Sequence, residues 1–186
     1  MISSEVLVVP PVSQRVPRRT FEALLRPEVA ELTPALEASL QSLGLDPRHL
    51  ADHYDLPTLR AVTELIRQQE CAALSFDDGL REVGRRFVKG FKQTPIGWIF
   101  NTMAPFFGPA RTLQQLPRYL TSVREEFPLT VVTEGETRFR LICLDAEAMG
   151  AFMAGCIEGV LDTCGVSGAL VHLRQMDQGF ELEISW

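Results

Sequence analysis

In the last seven residues of the chain, Phe180, Leu182, Ile184 and Trp186 alternate with Glu181, Glu183 and Ser185. That period of two is the signature of a strand with one buried and one wet face. Earlier, Phe76, Leu80, Val83, Phe87 and Phe91 recur every three or four residues, the period of an amphipathic helix. A chain that changes period in this way builds helices first and a sheet afterwards, and must bury the apolar faces of both against each other.

The sheet portion reads as two hairpins around a helix. Leu129 to Thr133 and Thr137 to Leu144 are strands joined at Glu134-Gly135-Glu136, a helix runs from Ala146 to Thr163, and Ala169 to Arg174 pairs with Phe180 to Trp186 across Asp177-Gln178-Gly179. In the helical portion, Thr20 is expected to cap a short helix through Arg26. Thr33-Pro34 opens a second helix that Gly44 ends, and Thr58 to Ala73 carries a third. Ser75 and Asp78 form a capping box for the basic helix that Thr94-Pro95 stops. Ile96 to Met103 follows, then a turn at Phe107-Gly108-Pro109 and a helix from Ala110 to Leu116. The fold class is therefore α+β: an amino-terminal helical region followed by a ββαββ unit with an antiparallel sheet. One domain is expected over 1–186, with an arm or edge strand in 1–19 (Glu5 to Val9), helices in 20–124 and the ββαββ unit in 125–186. The chain length of 186 residues suits one core.

Charge is unevenly placed. The whole chain has a formal charge of -6, yet Arg81, Arg85, Arg86, Lys89, Lys92, Arg111, Arg118 and Arg124 face only one acid, Glu82, in their segment. Such a surface either meets a partner or docks on acidic parts of the same chain, with Glu181 and Glu183 as internal candidates. Arg81, Arg85, Lys89 and Lys92 are the candidate partner or anion contacts. A pI of 5.1 and the lack of a basic strand interleaved with aromatics argue against nucleic acid.

Three further features carry candidate chemistry. Pro95 to Pro109 holds Trp98, Phe100, Phe106 and Phe107, enough aromatic surface to wall a pocket for a small apolar ligand or to fill the core. Ala151, Gly155 and Gly159 make a smooth stripe on the late helix, which packs on the domain's own sheet or forms a homodimer seam. His49 and His53 lie near Asp46, Asp52 and Asp55, but no set of three or four ligands emerges, so no metal and no cofactor is expected. Cys71, Cys143, Cys156 and Cys164 are sparse and form no Cys-x-x-Cys pair, as in reduced cytoplasmic proteins. No stretch reaches the roughly 20 apolar residues of a transmembrane helix, and the start of the chain lacks the features of a signal peptide. No glycine-rich phosphate loop, Gly-x-Ser-x-Gly or His-Glu-x-x-His occurs, and no thiol stands beside a positioned base, so an enzyme is not expected.

The run Gly84-Arg85-Arg86-Phe87-Val88-Lys89-Gly90-Phe91-Lys92-Gln93-Thr94, with Gly97, Gly108-Pro109-Ala110-Arg111 and Leu116-Pro117-Arg118, resembles a paralogous myxobacterial family known as a domain of unknown function. Gly155-x-x-Glu158-Gly159-Val160-Leu161 and the terminal strand fit it too. The resemblance implies membership and transfers no activity.

More distantly, the order of helices, hairpin, helix and hairpin is similar to heme nitric oxide/oxygen-binding domains, vinyl-4-reductase-type sensors and transport-protein-particle subunits. A heme-binding member would need an axial histidine after the basic helix and a Tyr-x-Ser-x-Arg run near the following strand. This chain has no histidine between His53 and His172, and Leu141 to Glu147 lacks Tyr, Ser and Arg. Heme of that type is not expected, with Cys143 left open as an axial thiolate. The leading expectation is a non-enzymatic cytoplasmic regulatory or adaptor module acting through a protein partner. The alternative is a sensor domain for a small apolar ligand, without heme.

Overall fold

The computed structural model describes residues 15–186, so the strand read at Glu5 to Val9 lies outside the described residues. The architecture is α+β. A two-residue strand β1 (Val16–Pro17) pairs antiparallel with β2 (His53–Tyr54) and anchors the start of the described chain to the helical region. The polar, proline-marked stretch around β2 predicts a loop, because two residues carry no periodicity.

Helices α1 (Arg18–Leu24), α2 (Pro34–Ser42), α3 (Leu56–Glu70), α4 (Phe76–Phe91) and α5 (Pro95–Leu120) follow. Their starts show where local chemistry decides. The Thr33 hydroxyl accepts from the Leu36 amide, Asp55 accepts from the Thr58 amide at 2.8 Å, and Ser75 accepts from Asp78, so each caps an orphan amide of its first turn. Two expected boundaries move. Asp55, not Thr58, begins α3. Thr20 lies inside α1, and its buried hydroxyl donates 2.7 Å to the Val123 carbonyl, tying α1 to the chain beyond α5. A tertiary bond has taken the group that looked like a cap.

The carboxy-terminal part forms β3 (Leu129–Thr133), β4 (Arg138–Cys143), α6 (Gly150–Thr163), β5 (Leu170–Met176) and β6 (Gly179–Ser185). All pairings are antiparallel, in the order β3-β4-β6-β5, so the last strand of the chain lies in the middle of the sheet. Phe139, Leu141, Phe180, Leu182 and Ile184 are buried on one sheet face. Each such side chain stabilises the fold by about 1.5–3 kcal/mol. On the other face Glu181 is also covered, because Arg174 reaches it at 2.5 Å and Arg140 at 3.6 Å. Glu181 is thus neutralised within the sheet and is no partner for the basic helix.

Helix α6 starts at Gly150 rather than Ala146. Asp145 holds the preceding turn by accepting from the Glu147 amide. Every residue from Gly150 to Ile157 is buried, since α6 packs against the sheet on one side and α4 on the other.

Candidate functional site

Helices α4 and α6 approach along glycines. A Cβ added to Gly155 would fall on the Arg81 carbonyl, and one added to Gly84 would fall on the Phe152 carbonyl. The stripe of Ala151, Gly155 and Gly159 is therefore covered by α4 of the same chain. It is not open to a second copy, and the helix, rather than the sheet alone, is what it packs on.

The same seam absorbs much of the basic segment. The Glu158 carboxylate on α6 accepts from Arg81 Nε at 2.8 Å and from Arg85 Nε at 2.6 Å, and Arg81 also donates to the Val171 carbonyl. Glu82 accepts from Arg85 at 3.0 Å and Arg86 at 2.9 Å, while Glu70 on α3 lies 3.4 Å from Arg86. Burial alone would raise the Glu82 carboxyl, but hydrogen bonds from Arg86 and Arg85 outweigh it and hold the group below the usual range. Arg124 pairs with Asp145 at 2.5 Å beside the Phe127 ring. Arg111 stacks over Phe107. What remains at the end of α4 is Lys89, exposed, and Lys92, half-buried, neither in an ion pair or hydrogen bond among the described residues. Structure thus separates the four candidate contacts: Arg81 and Arg85 serve the seam, whereas Lys89 and Lys92 stay outside it.

Toward the carboxy-terminal end of α4, α5 joins α4 and α6. Gly108, at φ 74° and ψ 168°, breaks α5 in a conformation that side chains with a Cβ avoid. The break folds the two halves of α5 toward each other, so Phe100 from the first half meets Tyr119 from the second edge-on at 4.9 Å. Between them and the other helices lies a cavity of ≈ 70 Å³. Phe87, Val88, Phe91 and Lys92 wall it from α4 and its cap. Phe100, Leu116, Tyr119 and Leu120 come from α5, and Phe152, Met153, Cys156, Ile157 and Val160 from α6. The Phe87 ring lies 5.4 Å from Phe152 and 5.8 Å from Phe91, giving the wall a rigid aromatic corner. A larger hollow of ≈ 740 Å³ between α3, α4 and α6 is lined in part by Arg60, Glu64 and Asp77 and lacks this apolar character.

Of the four aromatic pocket candidates, Phe100 alone reaches the cavity. Trp98 and Phe106 are 63% and 83% exposed, and with Ile99 and Met103 they form an apolar ridge on the outside of α5. Phe107 is half-buried under Arg111. The walls supplied by α6 and by the second half of α5 escaped sequence reading, because their convergence is tertiary. The available signal was the pairing of glycines on two apolar-faced helices, Gly84 against Gly155.

The family sequence pattern matches residues 14–186, nearly all of the chain, and describes a protein of unknown function, DUF2378. The chain belongs to this family. A comparison with curated proteins gives no match to this DUF2378 chain. Solved H-NOX structures share its fold. The Fe(II) unliganded H-NOX protein from K. algicida superposes with a TM-score of 0.64 at 13% identity, covering 90% of this chain and 94% of that one. An oxygen-binding H-NOX domain related to soluble guanylate cyclases, solved as its oxygen complex, gives 0.59 at 16% identity over 90% and 89%. A third structure, from work on heme redox potential modulated by protein-induced porphyrin distortion, gives 0.60 at 15% over 90% and 94%.

The fold of these neighbours raises heme as a ligand, and the residues of the DUF2378 chain do not fit it. Cofactor sites occupy about 300–1,000 Å³, whereas the cavity has ≈ 70 Å³. No histidine lines it: His49 and His53 sit on and beside β2, and His172 faces out from β5. Cys156 does line it, but burial pushes its thiol up, which disfavours the thiolate an iron would need. Cys143 lies in β4 outside the lining, and burial, with Asp145 adding to it, pushes it up to about 12. Among the described residues no group of three His, Cys, Asp or Glu is placed to hold a metal ion.

Proposed function

We propose that this DUF2378 protein is a non-enzymatic sensor module that encloses a small apolar ligand, without heme, where α4, α5 and α6 meet. The observation that carries the reading is the cavity itself, an apolar hollow inside a fold shared with an oxygen-binding domain. A water molecule takes about 30 Å³ of liquid, so ≈ 70 Å³ suits a ligand portion of a few heavy atoms. A cavity walled by leucine, isoleucine and phenylalanine stays dry and accepts such ligands because no water hydrogen bonds are lost. The two halves of α5 both touch the hollow, so filling it would change how they meet across Gly108 and would be felt on the outer face of that helix. Free thiols at Cys71, Cys143, Cys156 and Cys164 support a reducing cytoplasmic setting.

The test is a methyl-labelled NMR titration with xenon and cyclopropane. Shifts confined to Val88, Leu116, Ile157 and Val160 are expected, and Val160→Phe, which fills the hollow, should remove them. Absence of those shifts in the folded wild-type protein would sink the reading.

A second reading, an adaptor that contacts a protein partner, is favoured by the exposed ridge of Trp98, Ile99, Met103 and Phe106 beside the basic end of α4. Its contact set would be the ridge with Lys89 and Lys92, since Arg81 and Arg85 are held by Glu158. A pull-down that survives Trp98→Ala with Phe106→Ser unchanged would remove it.

A further inference from the structure

We infer that the ligand is a small amphiphile, a short apolar body carrying one carboxylate or similar monoanionic group, with the apolar end in the cavity and the anion on Lys92. This deepens the ligand-binding reading above and rests on it. The exposed wall of the cavity is apolar throughout, so Lys92 lines it with its carbon stem, and among the described residues the ammonium at the end of that stem makes no side-chain hydrogen bond and no ion pair. Earlier in α4, by contrast, Arg81, Arg85 and Arg86 all have carboxylate partners.

A second hollow of ≈ 160 Å³ adjoins the first, lined by Glu82, Arg85, Val88, Lys89, Lys92, Gly159, Asp162 and Thr163. Val88 and Lys92 belong to both walls, so Lys92 stands where apolar space gives way to polar space. Charges around the polar hollow select the head group. Arg85 and Glu82 neutralise each other at 3.0 Å, leaving Lys89 and Lys92 against Asp162 alone. The surplus is one positive charge, which suits a monoanion better than a dianion or a cation. Partial burial of an ammonium without a partner is unfavourable, and a bound carboxylate offsets that cost. Burial also lowers the Lys92 pKa, with Asp162 opposing and Lys89 reinforcing the effect, as expected for a cation short of counter-charge.

Butyrate and 1-butanol, which share the apolar tail and differ in charge, are titrated into methyl-labelled full-length protein near neutral pH. Wild type should bind butyrate about tenfold or more tightly than butanol, the size of one charge-assisted hydrogen bond. Lys92→Met should erase that difference while butanol still shifts the Ile157 and Val160 methyls, and Lys92→Gln provides the same readout should the first variant fold poorly. Val160→Phe should block both probes, which separates cavity binding from surface binding. Equal affinity for the two probes in wild type, or a preference for butyrate that survives at Lys92→Met, overturns this inference and leaves the cavity reading intact. If neither probe moves the cavity methyls, both fall together.

Discussion

Helix α4 runs through two different environments. Along its first half, close glycine contacts and paired charges hold it to α6, through Gly84, Gly155 and the pairing of Arg81 and Arg85 with Glu158. At its last turns, Phe87 and Phe91 border apolar space, and Lys92 beside them has Asp162 across a hollow but no ion pair among the described residues. One helix thus joins a close-packed seam to the proposed ligand site. The contrast supports the proposed ligand site: the paired charges and close helix contacts of the seam are explained by stability, whereas open apolar space beside an unpaired ammonium gives a ligand something to add.

The seam should fail first when its spacing is violated. Gly155→Leu places side-chain atoms on the Arg81 backbone carbonyl, and overpacking of this kind is expected to cost about 3 kcal/mol or more. Gly135→Leu, in a hairpin turn where nothing lies within 4 Å of an added Cβ, should stay within about 0.5 kcal/mol of wild type. Urea denaturation of both variants measures the difference, and equal midpoints would show that α4 and α6 can part without penalty.

The seam also marks the limit of what the amino-acid order reveals. Capping chemistry was legible at Thr33 and Ser75 because donor and acceptor lie three residues apart, and the sheet was legible at Phe180 to Trp186 because pleating imposes its own period. The glycine stripe was visible as a stripe, but its partner lies more than seventy residues earlier, and nothing in local spacing distinguishes α4 from a second chain. Glu181 looked exposed because alternation puts it on the wet face, and only the register against Arg174 and Arg140 covers it. Within the cavity, Phe100 was in view, but Leu116, Phe152 and Ile157 were not, since three helices must converge before their side chains share a space. Lys92 was grouped with Arg81 and Arg85 as part of one basic segment, and pairing with Glu158 on α6 sets the two arginines apart from it.

Removing the charge at the centre of the seam should have a smaller effect than violating its spacing. Glu158→Gln keeps the shape but weakens charge-assisted hydrogen bonds from Arg81 and Arg85, and about 2 kcal/mol is expected. The unfolding midpoint in urea should fall, while the cavity methyls keep their shifts with cyclopropane. A variant that lost probe binding in the folded state would show that seam and site are one mechanical unit rather than two.

Acid should weaken the seam on its own. Glu82 and Glu70 titrate below their ordinary range in the folded protein: burial opposes this at Glu82 and is overcome by Arg86 and Arg85, while at Glu70 the Gln69 hydrogen bond leads. Groups with depressed pKa values stabilise the fold above the unfolded value and lose that contribution as pH falls through the folded one. Stability measured in urea should therefore decline from about pH 5 downward, and Glu82→Gln should flatten that decline while lowering stability at neutral pH. A slope unchanged by the variant would place the acid sensitivity elsewhere.

The smallest effect on stability is expected farthest from the seam. Trp98→Ala and Phe106→Ser remove exposed side chains from the outer face of α5, and surface changes of this type usually stay within about 0.5 kcal/mol. Their value lies in the contrast with the other variants. If the ridge transmits occupancy of the cavity to a partner, these substitutions should leave both stability and butyrate binding near wild type while reducing recovery of any partner. Trp98 also serves as a reporter, since its fluorescence should shift when butyrate enters the cavity, because Phe100 lies in the same half of α5. A fluorescence response that persists in Val160→Phe would mean that Trp98 senses something other than the filled cavity, and would separate the ridge from the site.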